Sequence, residues 1–315
     1  MVFRKSNNGK TYCPKLWDEV YINQIGNVYS CCHEKPSILG SIYKNKLDKI
    51  YNNNIIQKAR EQSIKGKLKC YQNCILLKKN DLLYIKKPIV INYYNLKILK
   101  ITIGEACNIS CIMCWQNHKN KTTLNYKKLI ENVDLGPFKN IEVQGGEPLF
   151  IKEAKKFFNY ASSKSKKISF LTNGTLMTRE WAKKIVFNSI YVCFSINGAT
   201  KETHEKVNRG SIWEYVLRNI KKVRNYKEKY RSDLKIIGHM TLVPENIMEI
   251  TLFINTFSQL GFDCIDFGYD KKLPNYLLSN PEERDTVILR IKKAISCCNM
   301  ISEVDMYQLQ QLNLL

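Results

Sequence analysis

Cys107-Asn108-Ile109-Ser110-Cys111-Ile112-Met113-Cys114 is the stretch on which the reading of this chain turns. Three thiols stand at spacings of four and three, just after an alternating apolar run from Leu96 to Ile103 that reads as a strand. Soft thiolates this close together on one loop hold zinc or an iron–sulfur cluster. A structural zinc ion needs a fourth ligand, and His118 is the nearest one on the loop. Three thiolates with an open corner instead suit a cubane cluster whose fourth iron takes a small ligand.

Past this loop, strand-like runs alternate with helical patterns, the mark of βαβ units and a parallel sheet. Strands are expected over 97–103, 140–144, 167–171, 189–196, 235–242 and 264–267, with helices over 179–187, 212–227 and 247–260. Six such units fit an open (β/α)6 barrel or a doubly wound sheet, and both put ligand-binding groups at the C-terminal strand ends. The first end carries the thiols. The second ends in Gln144-Gly145-Gly146-Glu147-Pro148, where glycines admit close backbone approach and Glu147 offers a carboxylate. The third ends in Thr172-Asn173-Gly174-Thr175, an Asn-Gly turn. The fourth runs Cys193-Phe194-Ser195-Ile196-Asn197-Gly198, with His204 and Asn208-Arg209-Gly210 beyond it. The fifth leads to Val243-Pro244-Glu245-Asn246, where Asn246 is either a helix N-cap or a ligand contact.

CxxxCxxC after a strand, followed one βα unit later by Gly-Gly-Glu, resembles the radical S-adenosylmethionine (radical SAM) enzymes. The resemblance implies an α/β fold with a partial (β/α)6 TIM-like barrel. It implies a SAM-binding [4Fe–4S] cluster on Cys107, Cys111 and Cys114, and S-adenosylmethionine as cofactor. Gly145, Gly146 and Glu147 would hold the amino end of the methionine moiety, and Asn173 would form a polar wall beside it. Ser195 and Arg209 would lie near the ribose or carboxylate, and Asn246 near the ribose or adenine. Met113 stands where many relatives have an aromatic packed on adenine; Trp115 either supplies that stacking or packs in the barrel mouth. Asn197 replaces the usual Asp of the family's S-I-D-G stretch. The activity implied is reductive cleavage of SAM to a 5′-deoxyadenosyl radical that abstracts a substrate hydrogen, with flavodoxin or ferredoxin as electron donor.

The first eighty residues hold a second group of thiols. Glu19–Asn23 and Gly26–Ser30 read as a β-hairpin with Cys13 before it and Cys31 after it. A helix over 47–65 stops at Gly66, and the loop Cys70-Tyr71-Gln72-Asn73-Cys74 follows. Cys13, one of Cys31 and Cys32, Cys70 and Cys74 would close a site for zinc or a [4Fe–4S] cluster. Gly26 followed by Cys31, a helix and a late Cys pair resemble the SPASM and twitch modules of radical SAM enzymes. That resemblance puts an auxiliary [4Fe–4S] cluster on Cys13, Cys31, Cys70 and Cys74, in a small cysteine-rich α+β domain. Most relatives carry the module after the barrel and with a CxxC pair; here it precedes the barrel and the pair is CxxxC.

The expected organisation is an auxiliary-cluster domain over 1–80, a connector over 81–95, the core over 96–270 and a helical segment over 271–315. Twelve cysteines and no apolar run in Met1 to Lys10 point to a reducing, cytoplasmic setting, and the longest apolar stretch is broken by Lys, against a membrane span. The formal charge of +22 invites nucleic acid, yet only nine of fifty basic residues are Arg and none form a dense run with aromatics. A solvated lysine surface is the simpler account, and nucleic acid is not the expected partner. Cys193 and Cys264, on expected strands, read as small core residues; Cys297 and Cys298 carry no assignment. The function expected from the resemblance is peptide or protein modification or oxidation, with the auxiliary cluster as electron relay. The alternatives are a radical SAM sugar, nucleotide or small-alcohol enzyme and, from another class, a zinc-stabilised basic RNA-binding protein.

Overall fold

The computed structural model describes residues 11–31, 37–70, 78–79, 86–297 and 307–315. The chain packs as two compact units, Met1–Thr102 with Thr123–Glu142, and Ile103–Thr122 with Val143–Leu315.

In the first unit β1 (Glu19–Ile22) and β2 (Asn27–Tyr29) form the expected antiparallel hairpin, registered Tyr21 to Tyr29 and Ile22 to Val28. Its turn is held by Asn23, whose Oδ1 accepts from the Asn27 amide at 2.9 Å. β3 (Gly40–Ser41) extends it on the β2 side. β1 also pairs in parallel with β4 (Ile98–Thr102), from Glu19 opposite Ile98 to Ile22 opposite Ile101. Glu19, fully buried, faces the Lys15 ammonium at 2.8 Å and Lys100 at 3.9 Å.

The single helix expected over 47–65 is two helices, α1 (Leu47–Ile50) and α2 (Asn54–Ile64). Asn53 breaks the run in an extended conformation, and its Oδ1 accepts from the amides of Ile55 and Ile56 at 3.0 and 3.2 Å. Its neighbour Asn52 donates to the Ile91 carbonyl at 2.7 Å. From α2 the fully buried Arg60 donates to the carbonyls of Leu16 (2.9 Å) and Ile89 (2.7 Å), so the helix is tied to both segments. An Asn53→Ala variant should lose about 1 kcal/mol of stability to chemical denaturation through the lost cap. The same unit holds α3 (Tyr126–Asn132), whose capping residue Asn125 donates its amide to the Tyr43 hydroxyl at 3.0 Å.

The second unit is α/β. β5 (Asn140–Gln144) leads into it, and β6 (Ile168–Thr172), β7 (Tyr191–Ser195), β8 (Lys235–Leu242) and β9 (Cys264–Tyr269) follow in spatial order as a parallel sheet. The intervening helices are α4 (Lys152–Ser163), α5 (Arg179–Asn188), α6 (Lys201–Val207), α7 (Trp213–Tyr230) and α8 (Ile250–Thr256). Along β8 burial alternates strictly, so one sheet face is apolar and closed while the other is half-open. The closed face is aromatic: Phe158 of α4 meets Phe170 of β6 edge-on at 5.7 Å, and Phe253 of α8 meets Phe267 of β9 at 6.1 Å.

The expected helix over 247–260 is shorter than its apolar spacing suggested. It opens with a 3-10 turn, Ile247–Glu249, and α8 ends at Thr256. Among the described residues after β9 are the helices α9 (Leu273–Ser279), α10 (Pro281–Cys297) and α11 (Tyr307–Gln311). Among the described residues no helix is long and apolar enough to cross a membrane.

Candidate active site

The cysteine loop lies wholly in the second unit and is fixed by backbone bonds. Ser110 and Cys111 pair antiparallel with Arg209 and Asn208, a two-residue bridge to the segment after α6. The Cys107 amide donates to the His118 carbonyl at 3.2 Å and the Cys114 amide to the Cys111 carbonyl at 3.1 Å. Cys107 and Cys111 are half-buried and Cys114 is exposed. Burial pushes the Cys111 thiol up to about 12, and its neighbours Cys107 and Cys114 push it further in the same direction. Burial likewise raises Cys107, with Glu147 and Cys114 adding to it and the Ile109 amide and Asn173 opposing it.

Cys107 and Cys111, whose ionisation burial and the neighbouring thiols oppose, take up thiolate form when a cationic metal group lies beside them. A single zinc ion would gather sulfurs to about 3.8 Å. Among the described residues the three thiols and His118 form no group of ligand atoms within 4.8 Å. The donor set therefore fits a multi-iron cluster better than one tetrahedral ion.

The Gly-Gly-Glu turn is stitched to this loop. The Glu147 amide donates to the Ala106 carbonyl at 2.9 Å, and the Gly146 amide to Gln116 Oε1 at 2.9 Å. Gly145 and Gly146 both have positive φ, 89° and 46°. A β-carbon on Gly146 would stand 2.2 Å from the Ala106 carbonyl oxygen, so only glycine fits.

The Glu147 carboxylate is fully buried rather than open to the loop. Its Oε1 accepts from the Leu149 amide (3.0 Å) and the Thr172 hydroxyl (2.8 Å), and its Oε2 from the Asn173 amide (2.7 Å). Burial lifts its pKa to about 7, against the pull of those three donors. It thus locks the ends of β5 and β6 together.

Asn173 closes the circle. Its Nδ2 donates to Asn108 Oδ1 at 3.1 Å and approaches Cys107 Sγ at 3.6 Å, and Asn108 in turn donates to Thr175 Oγ1 at 2.8 Å. Ser195 ends β7, and its carbonyl accepts from Asn208 Nδ2 at 3.0 Å. Arg209 is exposed beside the bridge.

Asn246 is fully buried and spent on backbone. Its Oδ1 accepts from the Val243 amide (2.8 Å), and its Nδ2 donates to the carbonyls of Asn197 (3.1 Å) and Thr241 (2.9 Å). Asn197, in the place of the usual Asp, sits at φ 50°, accepts from the Thr241 amide at 2.7 Å and donates to Asn208 Oδ1 at 2.8 Å. Trp115 is 82% exposed, which settles it outside any buried packing, and Met113 is half-buried. Thr172, Asn108, Gln116 and the Asn197–Asn208 pair escaped the sequence reading because no spacing rule marks a side chain that serves only to hold another.

In the first unit Cys13 is buried and donates its amide to Ser63 Oγ of α2 at 2.9 Å. Cys31, just past β2, is half-buried and Cys70 is exposed beyond α2. Cys74 and Cys32, the alternative to Cys31, lie outside the described residues.

A thiol triad after the first strand of a βα series, braced by a Gly-Gly-Glu turn, defines the radical SAM class of enzyme. Residues 101–256 match the radical SAM superfamily, and residues 13–75 match the SPASM iron–sulfur cluster-binding domain. The chain belongs to the radical SAM superfamily, has its partial TIM-like barrel fold and carries a SPASM domain ahead of the barrel. Its cofactors are S-adenosylmethionine, a [4Fe–4S] cluster and an auxiliary cluster. The chain is similar to the Fe-coproporphyrin III synthase of Methanosarcina barkeri, at 28% identity over 66% of this chain and 52% of that one. It is also similar to the mycofactocin maturase MftC of Mycolicibacterium smegmatis, at 24% identity over 38% of this chain and 32% of that one. Among solved structures, Streptococcus suis SuiB superposes with a TM-score of 0.45 and 13% identity, over 77% of this chain and 53% of that one. The chain spans about half the length of the first of these relatives.

Proposed function

We propose that Cys107, Cys111 and Cys114 hold the SAM-binding cluster of an enzyme that modifies or oxidises a peptide or protein, and that Cys13, Cys31, Cys70 and Cys74 hold an auxiliary cluster serving as electron relay. When bound, these groups supply reductive cleavage of S-adenosylmethionine to a 5′-deoxyadenosyl radical and the hydrogen abstraction that follows. The observation that carries the reading is the junction of the thiol loop with the Gly-Gly-Glu turn through the Glu147 amide and the Ala106 carbonyl. The mycofactocin maturase among the similar proteins supports a modifying role.

The chain's own residues position and shield. Gly145 and Gly146 present backbone to the amino end of the methionine moiety, with Glu147 holding that turn in register. Asn173 donates toward the Cys107 sulfur and walls the site. Trp115 and Met113 face the adenine, and Ser195 and Arg209 serve the ribose or carboxylate. Asn246 acts through the turn it braces. A reduced flavodoxin or ferredoxin supplies the electron in the cytoplasm, and the +22 charge suits such an acidic partner.

Anaerobic reconstitution tests this. The wild type should bind about eight irons and release 5′-deoxyadenosine on reduction with dithionite. A Cys13→Ala variant should fall to about four irons and still cleave S-adenosylmethionine. A colourless wild type ends the reading, and unchanged iron in Cys13→Ala removes the auxiliary assignment.

A further inference from the structure

A second group of ligand-type side chains, none of them from the cysteine loop, stands on the half-open face of the sheet. On β8, His239 and Thr241 alternate with buried Gly238, Met240 and Leu242. His239 lies opposite Ser195 of β7 and opposite Asp266 of β9, and Cys193 precedes Ser195 by one full pleat. Sγ of Cys193, a ring nitrogen of His239 and a carboxylate oxygen of Asp266 all lie within 4.8 Å of one another.

We propose that Cys193, His239 and Asp266 bind a divalent cation of the zinc class, with a fourth position open to water or a small oxygen ligand. The ligand chemistry selects the ion. Calcium and magnesium take oxygen ligands, whereas zinc accepts thiolate, imidazole and carboxylate together. Three protein ligands with one vacant corner is the arrangement in which zinc polarises a bound oxygen.

The imidazole is aimed. Its Nδ1 is 2.8 Å from Asp266 Oδ1 and its Nε2 is 3.1 Å from Thr241 Oγ1. Without a metal the carboxylate accepts from Nδ1–H; a cation on Nδ1 takes the place of that proton and keeps the carboxylate as its second ligand, while Nε2 keeps the threonine hydroxyl as partner. A proton alone would satisfy the His–Asp pair; the thiol brought in from the next strand is what a metal adds. Room for the ring is also reserved. A β-carbon on Gly268 would come within 3.2 Å of His239 Cε1 and 3.3 Å of Nε2. Ligands around tetrahedral zinc stand about 3.3–3.8 Å apart, so the imidazole–carboxylate pair opens by about 0.5 Å and the thiol moves in by at most about 1.5 Å, within reach of side-chain torsions.

The test uses the full-length holoprotein, equilibrated anaerobically with zinc sulfate, freed of excess and measured for zinc and iron by plasma mass spectrometry. About one tightly held zinc per chain is expected, and its X-ray absorption should show one sulfur at about 2.3 Å with the remaining ligands nitrogen or oxygen at about 2.0–2.2 Å. His239→Ala and Asp266→Ala should each lower zinc about tenfold or more with iron unchanged. Cys264→Ala, two residues before Asp266 on β9, should leave zinc at the wild-type level. Absence of zinc from the wild type, or undiminished zinc in His239→Ala, overturns the proposal. So does a zinc spectrum of three or four sulfurs, which would place the ion in a cysteine-rich loop; this last reading needs no variant to fold.

Discussion

Replacing Cys111 with alanine is expected to bring reductive cleavage of S-adenosylmethionine down to the buffer blank, while the protein keeps its fold. Cys111 is the middle thiol of the loop, and its ionisation is coupled to both of the others. Without it two thiolates remain, too few to hold a cubane with one free iron. The backbone pairing of Cys111 with Asn208 does not depend on the sulfur, so the loop keeps its path. Iron per chain should fall by about half, to what the auxiliary site holds, and the unfolding transition should stay in place. Deoxyadenosine at wild-type levels from this variant would show that the three thiols do not form the radical-generating centre.

The second large effect is expected from Gly146→Ala, a change of one methyl group. The added carbon would overlap a main-chain oxygen, that of Ala106, at 2.2 Å, and would force a non-glycine residue to keep φ at 46°. Backbone strain of this kind and overpacking against an unyielding neighbour each cost about 1–3 kcal/mol. Calorimetry should therefore show the melting temperature lowered by about 8–16 °C, taking about 4 kcal/mol on a unit of this size. Because the turn and the thiol loop share the Glu147–Ala106 hydrogen bond, iron retention at the cysteines should suffer as well. A melting temperature within a degree or two of wild type would mean that the turn yields more easily than its contacts imply.

The parts of this molecule that were readable from sequence are those written in local period. The strands at 140–144 and 235–242 fall where alternation put them, and the hairpin follows from two β-rich runs around Gly26. The thiol loop and Gly-Gly-Glu turn were legible because their chemistry is concentrated in a few adjacent residues. What escaped depends on partners far along the chain. The break at Asn53 follows from side-chain bonds that outbid helix propensity, and one of the bonds beside it reaches Ile91. The parallel pairing of β1 with β4 joins segments about eighty residues apart, which no local pattern announces. Cys193 read as a small core residue because its strand is apolar. Only the register across β7, β8 and β9 reveals that its sulfur shares a neighbourhood with His239 and Asp266.

The short bridge between Ser110–Cys111 and Asn208–Arg209 has a bearing on biogenesis. It connects positions about a hundred residues apart with a handful of hydrogen bonds, so it cannot form until several βα units have been synthesised and have condensed. During translation the thiols emerge early and wait without their clamp. A nascent chain stalled before Arg209 would therefore carry the three thiols without this bridge.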